Sequence, residues 1–298
     1  MTVTDTLTPR VTAWQRAGTV EQVAGHSIFV RERGGSADRA PLVFLHGYPS
    51  SSYDWRDAFD LIDGHRLMAF DFLGFGLSDK PRDQLYTLAA QADIVEELTR
   101  RFADEPVVLV AHDMGSSVAT ELLARDIEGR LSFPLRSVLL FNASLVRERA
   151  SLLRGQKLLL SRIGPLFTRL TTQSGFTRQF AGIFSAEHPL DADEAADQWS
   201  LLARYDGHHM LDKLIHYNRE RVTPPTAGRW HDALRSWPGR LELGWAGKDP
   251  ICTEAVLEAV LALRPHAELT RLPGLGHYPQ IEDPRTVCQL VQRHASRD

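Results

Sequence analysis

An α/β fold with a mostly parallel sheet and an inserted helical block is what the sequence predicts, on three observations. Apolar runs of strand length alternate with stretches of helical apolar spacing, the pattern of crossover units. That alternation stops near Arg147 and resumes only after Arg229. Finally, the apolar run Val107-Val108-Leu109-Val110-Ala111-His112 leads straight into Asp113, with Ala111 and Gly115 two positions to either side. Such small-x-nucleophile-x-small spacing marks a strained strand-to-helix turn that thrusts one side chain out above a sheet.

Each element has its own signal. Thr19 to Glu32 alternates around Gly25 and reads as a β-hairpin. Pro41-Leu42-Val43-Phe44-Leu45-His46 is a buried strand ending at Gly47, and Arg66 to Asp71 is another, followed by the loop Phe72-Leu73-Gly74-Phe75-Gly76. Leu88 to Phe102 has helical spacing, with Arg100 and Arg101 suited to a helix C-terminus. A strand over Pro106–His112, a helix from Gly115 to Arg125 and a strand over Arg136–Phe141 follow. Helical segments are then expected at Glu148–Arg162, Phe176–Phe184, Asp193–Arg204 and Met210–Arg221, with Pro224-Pro225 ending the run. Strands return at Arg240–Ala246 and Ala267–Leu272, each followed by a helix. The expected organisation is a core formed by residues 1–146 and 230–298, with 147–229 as a cap over the sheet's C-terminal edge, where ligands bind in open α/β folds.

Composition narrows the function classes. The chain has 298 residues, 43% hydrophobic and 24% charged, with a formal net charge of −4. That is ordinary for a globular protein and leaves no basic footprint for nucleic acid or a membrane surface. Cys252 and Cys288 are too few and too far apart for a disulfide framework or a cysteine-based metal site. Met1 to Arg10 lacks the apolar core of a signal peptide, and apolar runs are far short of a membrane span. A soluble cytoplasmic protein is the expectation, with oligomeric state left open. No metal or organic cofactor is expected, because no His/Asp/Glu cluster shows ligand spacing in sequence and no dinucleotide fingerprint follows a strand.

Four motifs stand in a fixed order at strand C-termini: His46-Gly47-Tyr48-Pro49, Asp113 at the turn, Gly247-Lys248-Asp249-Pro250, and Gly274-Leu275-Gly276-His277-Tyr278-Pro279. Nucleophile, acid, histidine is the chain order of α/β hydrolases. A carboxylate at the apex displaces a leaving group from carbon and becomes an ester, whereas serine adds to a carbonyl. His277 would then draw a proton from the water that attacks the ester, with Asp249 fixing its tautomer. The N–H groups of Tyr48 and Met114 are the expected oxyanion donors. Ser116 and Ser117 fall past the apex, inside the helix. The glycines beside Leu275 suggest a mobile, open loop for His277. His46 and His112 are expected only to pack or hydrogen-bond locally.

Over nearly its whole length the chain resembles the α/β-hydrolase superfamily, and within it the epoxide hydrolase and haloalkane dehalogenase branch with an aspartate nucleophile. His46-Gly47-Tyr48-Pro49 looks like the HGxP motif of epoxide hydrolases, whose x–Pro peptide is typically cis. Ser51-Ser52-Tyr53-Asp54-Trp55, the segment Asp71 to Pro81 and the segment His277 to Pro284 look closer still to the mesoderm-specific transcript proteins of vertebrates. The resemblance implies an α/β-hydrolase fold with an inserted helical cap, and a small apolar organic substrate with water.

Both reactions of that branch begin with attack by the carboxylate, so the leaving group discriminates. Dehalogenases typically place Trp after the nucleophile and Asn in the HGxP third position, or a second Trp in the cap. Met114 and Tyr48 stand at the first two, and neither side chain offers an N–H. That leaves Trp199 as a cap donor. Ile215-His216-Tyr217-Asn218-Arg219 resembles the tyrosine-bearing segment of epoxide hydrolase caps, which makes Tyr217 the expected ring-opening acid. A second cap tyrosine is missing where Phe180 and Phe184 stand, and Tyr205 is the nearest substitute. His208-His209 is expected to be solvated. Leu145, Phe167, Phe180, Phe184, Trp199 and Tyr205 are the expected pocket residues. Epoxide opening leads; haloalkane dehalogenation, ester or lactone hydrolysis, or a non-catalytic homologue are the alternatives.

Overall fold

The computed structural model describes residues 6–297; of the stretch read for a signal peptide, Met1–Asp5 lie outside the described residues. Eight strands form one sheet in the order β1-β2-β4-β3-β5-β6-β7-β8. The hairpin β1 (Thr19–Val23) and β2 (His26–Arg33) is antiparallel and turns at Ala24-Gly25, both with positive φ. It adds to β4 (Leu67–Phe70), beyond which β3 (Leu42–Leu45), β5 (Val107–His112), β6 (Leu135–Phe141), β7 (Arg240–Ala246) and β8 (Glu268–Leu272) pair in parallel.

The middle strands read as continuous apolar runs because both faces are covered. Their side chains alternate between two cores. Val43, Leu45, Leu109 and Ala111 join the core under helices Leu88–Phe102 and Met114–Ile127. Leu42, Phe44, Val108 and Val110 face Val11 and Trp14 of helix Pro9–Arg16 and Val287, Leu290 and Val291 of helix Pro284–Ala295. The first of these outer helices was not expected from sequence, although Thr8 caps it and Pro9 occupies its first turn.

Between β6 and β7 the described residues contain helices and turns and no strand. Ahead of Pro224-Pro225 the α-helices are Arg154–Leu159, Gly164–Arg169, Gln173–Ala181, Ala192–Ala203, Leu211–Leu214 and Tyr217–Glu220. Several are shorter than the periodicity suggested. Gly164-Pro165 starts a helix beyond the expected Glu148–Arg162 segment, and the Met210–Arg221 segment splits into two single turns. Pro224-Pro225 does not end the helical run: Thr226–Ser236 follows it and joins the elbow helix through Trp230, whose Nε1–H donates to Glu121 at 2.7 Å. Helix Ala192–Ala203 is tied to the rest by Asp197, which accepts from Thr8 Oγ1 (2.5 Å), Arg10 Nε (2.7 Å) and Tyr53 OH (2.7 Å).

Candidate active site

Asp113 sits between β5 and the helix Met114–Ile127 with φ 46° and ψ −112°. A non-glycine residue there costs about 1–3 kcal/mol and persists only where its surroundings overdetermine it. The neighbours show why small flanks are required. A Cβ on Gly115 would lie 2.7 Å from the His46 carbonyl oxygen and 2.8 Å from that of Leu45. One on Gly47 would lie 2.9 Å from Asp113 Cβ. The turn therefore packs directly against the end of β3. Its closeness also brings the Tyr48 N–H to Asp113 Oδ2, a hydrogen bond of 3.0 Å. Met114, the first residue of the helix, carries one of the N–H groups that a helix start leaves without an internal acceptor. The Tyr48-Pro49 peptide is cis.

Asp249 follows β7 and accepts from His277 Nδ1 at 2.7 Å. Two further donors reach it: Asn142 Nδ2 and the Ile251 N–H, each at 2.6 Å. Burial works against the charged carboxylate, but His277, Asn142 and Ile251 outweigh it and hold Asp249 below its ordinary range. Burial pulls His277 the other way, yet the charge and hydrogen bond of Asp249, followed by the charge of Asp113, raise it to about 9. Asn142 was missed in the sequence. It has φ 44°, and its Oδ1 accepts from the Ala246 N–H at 3.0 Å, locking the ends of β6 and β7 together. A polar residue straight after the apolar run of β6 was the available signal.

The loop carrying His277 is neither open nor loose, contrary to expectation. The His277 N–H donates to the Ile183 carbonyl at 2.8 Å. Glu282 accepts from Gly276 N–H (2.8 Å), Ser185 N–H (3.0 Å) and Tyr278 N–H (3.3 Å). A Cβ on Gly276 would meet Ser185 N at 2.6 Å. The glycine serves close approach to the Ile183–Ser185 segment rather than mobility.

His46 and His112 take local bonds. His46 Nε2 accepts from the Phe72 N–H at 3.0 Å, and His112 Nε2 lies 2.7 Å from the His277 carbonyl oxygen. Burial depresses them to about 3 and about 4, so both rings stay neutral at pH 7.

Tyr217 is buried, its ring centroid 5.9 Å from that of Tyr48. Burial, then the charge of Asp113, raises its phenol above the ordinary tyrosine range, so it keeps its proton. Phe180 and Phe184 pack on Tyr278, with centroids at 4.9 and 5.6 Å, and so stand one residue from His277. Trp199 packs on Phe176 (5.8 Å) and His208 (5.3 Å). Leu145 is buried and Phe167 partly buried against the same core.

Tyr205 is a correction: it is 49% exposed and cannot line a buried pocket. The chain kinks at Tyr205 and Asp206, φ 53° and 57°, which turns the ring outward towards Arg204 and Lys80. The same kink buries His208 under Trp199, against the expectation of a solvated pair. It also brings Asp206, His208 and His209 within 4.8 Å of one another, a grouping the sequence spacing did not reveal. Asp206 is already paired with Arg82 at 2.9 Å. Asp249, Cys252 and His277 form a second such group, in which burial raises the Cys252 thiol and keeps it protonated.

The comparisons with known proteins agree with this architecture. Residues 42–290 match the model of the alpha/beta hydrolase family. "Putative hydrolase LipZ" of Mycobacterium tuberculosis is 47% identical, over 95% of this chain and 97% of its own. The mesoderm-specific transcript protein of Mus musculus is 33% identical, over 93% and 85% respectively. Among solved structures, haloalkane dehalogenase DbeA from Bradyrhizobium elkani superposes with a TM-score of 0.79 at 21% identity, covering 94% of this chain and 97% of its own. A family-model match over most of the chain, together with relatives of this identity and coverage, means that the chain belongs to the alpha/beta hydrolase family.

Proposed function

We propose that the protein hydrolyses epoxides to vicinal diols through a covalent ester on Asp113, with residues 147–229 as the cap that covers the reacting centre. The supporting observation is a carboxylate, not a hydroxyl, at the strained apex, held by the Tyr48 N–H and near enough for its charge to act on the buried phenol of Tyr217. Asp113 attacks a ring carbon while the C–O bond breaks, and Tyr217 gives its proton to the leaving oxygen. His277 then takes a proton from water, and the resulting hydroxide attacks the Asp113 ester carbonyl. The N–H groups of Tyr48 and Met114 receive the negative charge of the tetrahedral intermediate. On its collapse the expelled oxygen takes the proton of the Asp113 carboxyl, which frees the diol, and the proton held by His277 returns to the Tyr217 phenolate.

Tyr217 separates this reaction from its rival. An epoxide oxygen leaving without a proton becomes an alkoxide among Tyr48, Tyr217, Phe180 and Phe184, at large electrostatic cost. Tyr217→Phe keeps the ring and removes the donor. Epoxide turnover should fall by about 10²–10⁴-fold while the melting temperature changes little. Halide release needs no proton and should survive. Epoxide hydrolysis at the parent rate in the folded variant would remove Tyr217 from the acid's role.

Haloalkane dehalogenation is the second reading. The observation in its favour is a haloalkane dehalogenase of Agrobacterium fabrum, 40% identical over 103 residues, about a third of either chain. Against it, Tyr48 and Met114 offer no side-chain N–H to a departing halide. Assaying diol formation and halide release on one preparation decides between the two.

A further inference from the structure

Arg221 lies one turn beyond Tyr217 and is only 2% exposed, yet among the described residues no carboxylate pairs with it. Its Nε–H donates to Ser117 Oγ at 2.8 Å, and Nη1 reaches Asn218 Oδ1 at 3.5 Å. Nη2 has no hydrogen-bond partner. The nearby Glu220 is turned to another task, accepting from the Leu88 N–H at 3.1 Å. A buried guanidinium with an idle fork is costly unless something charged meets it.

Its position is informative. Ser117 lies one helical turn inside the elbow helix from Asp113. The guanidinium also stacks over the Tyr217 ring, 4.6 Å from its centroid. Tyr217 and Cys252 each feel the charges of both Arg221 and Asp113. The cation therefore lies where its charge and that of Asp113 reach the same buried side chains, with no ion pair between the two among the described residues.

We propose that Arg221 is the anion-binding residue of the pocket, taking the carboxylate of a substrate that carries one while its reactive carbon lies over Asp113. The proposal rests on the site described above and deepens it by naming the substrate class: epoxy acids, or their halogenated counterparts, rather than plain hydrocarbons. Guanidinium suits the role because its planar fork matches a carboxylate in two parallel hydrogen bonds. A positive charge there also offsets the repulsion that Asp113 would exert on an anionic substrate.

Binding without reaction tests this independently of the chemistry. Isothermal titration of the full chain with the unbranched carboxylates from butanoate to decanoate, with 3-phenylpropanoate, and with the matching primary amides should show the best carboxylate binding about 10–100-fold tighter than its amide. Arg221→Gln should abolish that preference; Arg221→Lys, which keeps the charge but not the fork, should retain part of it. No carboxylate preferred over its amide by the unmodified protein overturns the proposal, whatever the variants do. So does a preference that survives in folded Arg221→Gln. Should carboxylates bind as expected while neither epoxide nor haloalkane is turned over, the proposed reaction fails and the anion site stands.

Discussion

Asp113→Ala is expected to abolish turnover, with kcat falling by about 10⁴–10⁶-fold, the scale on which removing a nucleophile acts. The loss should be one of chemistry rather than of folding. Among the described residues the Asp113 side chain accepts one hydrogen bond, from the Tyr48 N–H, and the backbone of the turn is held by Gly115 against β3. Alanine suffers the same positive φ, so the variant should unfold near the parent temperature. Activity retained in a folded Asp113→Ala would point to a different nucleophile, and retained ligand binding without activity in the parent would point to a non-catalytic homologue.

His277→Gln should split the reaction in two. Attack by Asp113 needs no base, so the ester still forms. Water then lacks its proton acceptor, and hydrolysis slows by about 10²–10⁴-fold. Mass spectrometry after mixing with a turned-over substrate should show protein plus substrate. No adduct, with binding demonstrated, would mean that His277 acts earlier or not at all. A pH dependence follows from the same geometry. In the free protein Asp249 and Asp113 raise His277 to about 9, so the imidazolium dominates at pH 7. Ester formation removes the charge of Asp113, and with it one of the influences that favours the proton. The second step, which needs neutral imidazole, should therefore speed up as pH rises, with a midpoint below about 9. Single-turnover rates across pH 6–10 on the parent protein check this; a rate that falls with rising pH contradicts the base role.

Much of this was legible from residue types. Apolar runs such as Leu42–Leu45 and Val107–His112 announced buried parallel strands because both faces are covered and no polar alternation is needed. The elbow was legible because only small residues fit where Gly115 touches β3. Helices between β6 and β7 were less so. Their boundaries depend on packing and on strained residues such as Tyr205 and Asp206, whose left-handed backbone no propensity predicts. That one kink moved Tyr205 to the surface and His208 beneath Trp199. The glycines near His277 were read as freedom because sequence does not show what a glycine faces; here Gly276 faces the Ser185 backbone. The roles of Asn142 and Arg221 were missed for a related reason. Each acquires its importance from a partner far along the chain, Asp249 for one and Ser117 for the other.

The ester on Asp113 is the central claim, and isotope labelling tests it most directly. The parent protein, in molar excess over a turned-over epoxide or haloalkane, is allowed a single turnover in oxygen-18 water, and both the product and the peptides are analysed. Water that attacks the ester carbonyl leaves its oxygen in the carboxylate, so the label should appear in the peptide containing Asp113 and not in the first-turnover product. Label found in the product alone, with the Asp113 peptide unlabelled, would show that water attacks the substrate directly and would contradict the covalent mechanism.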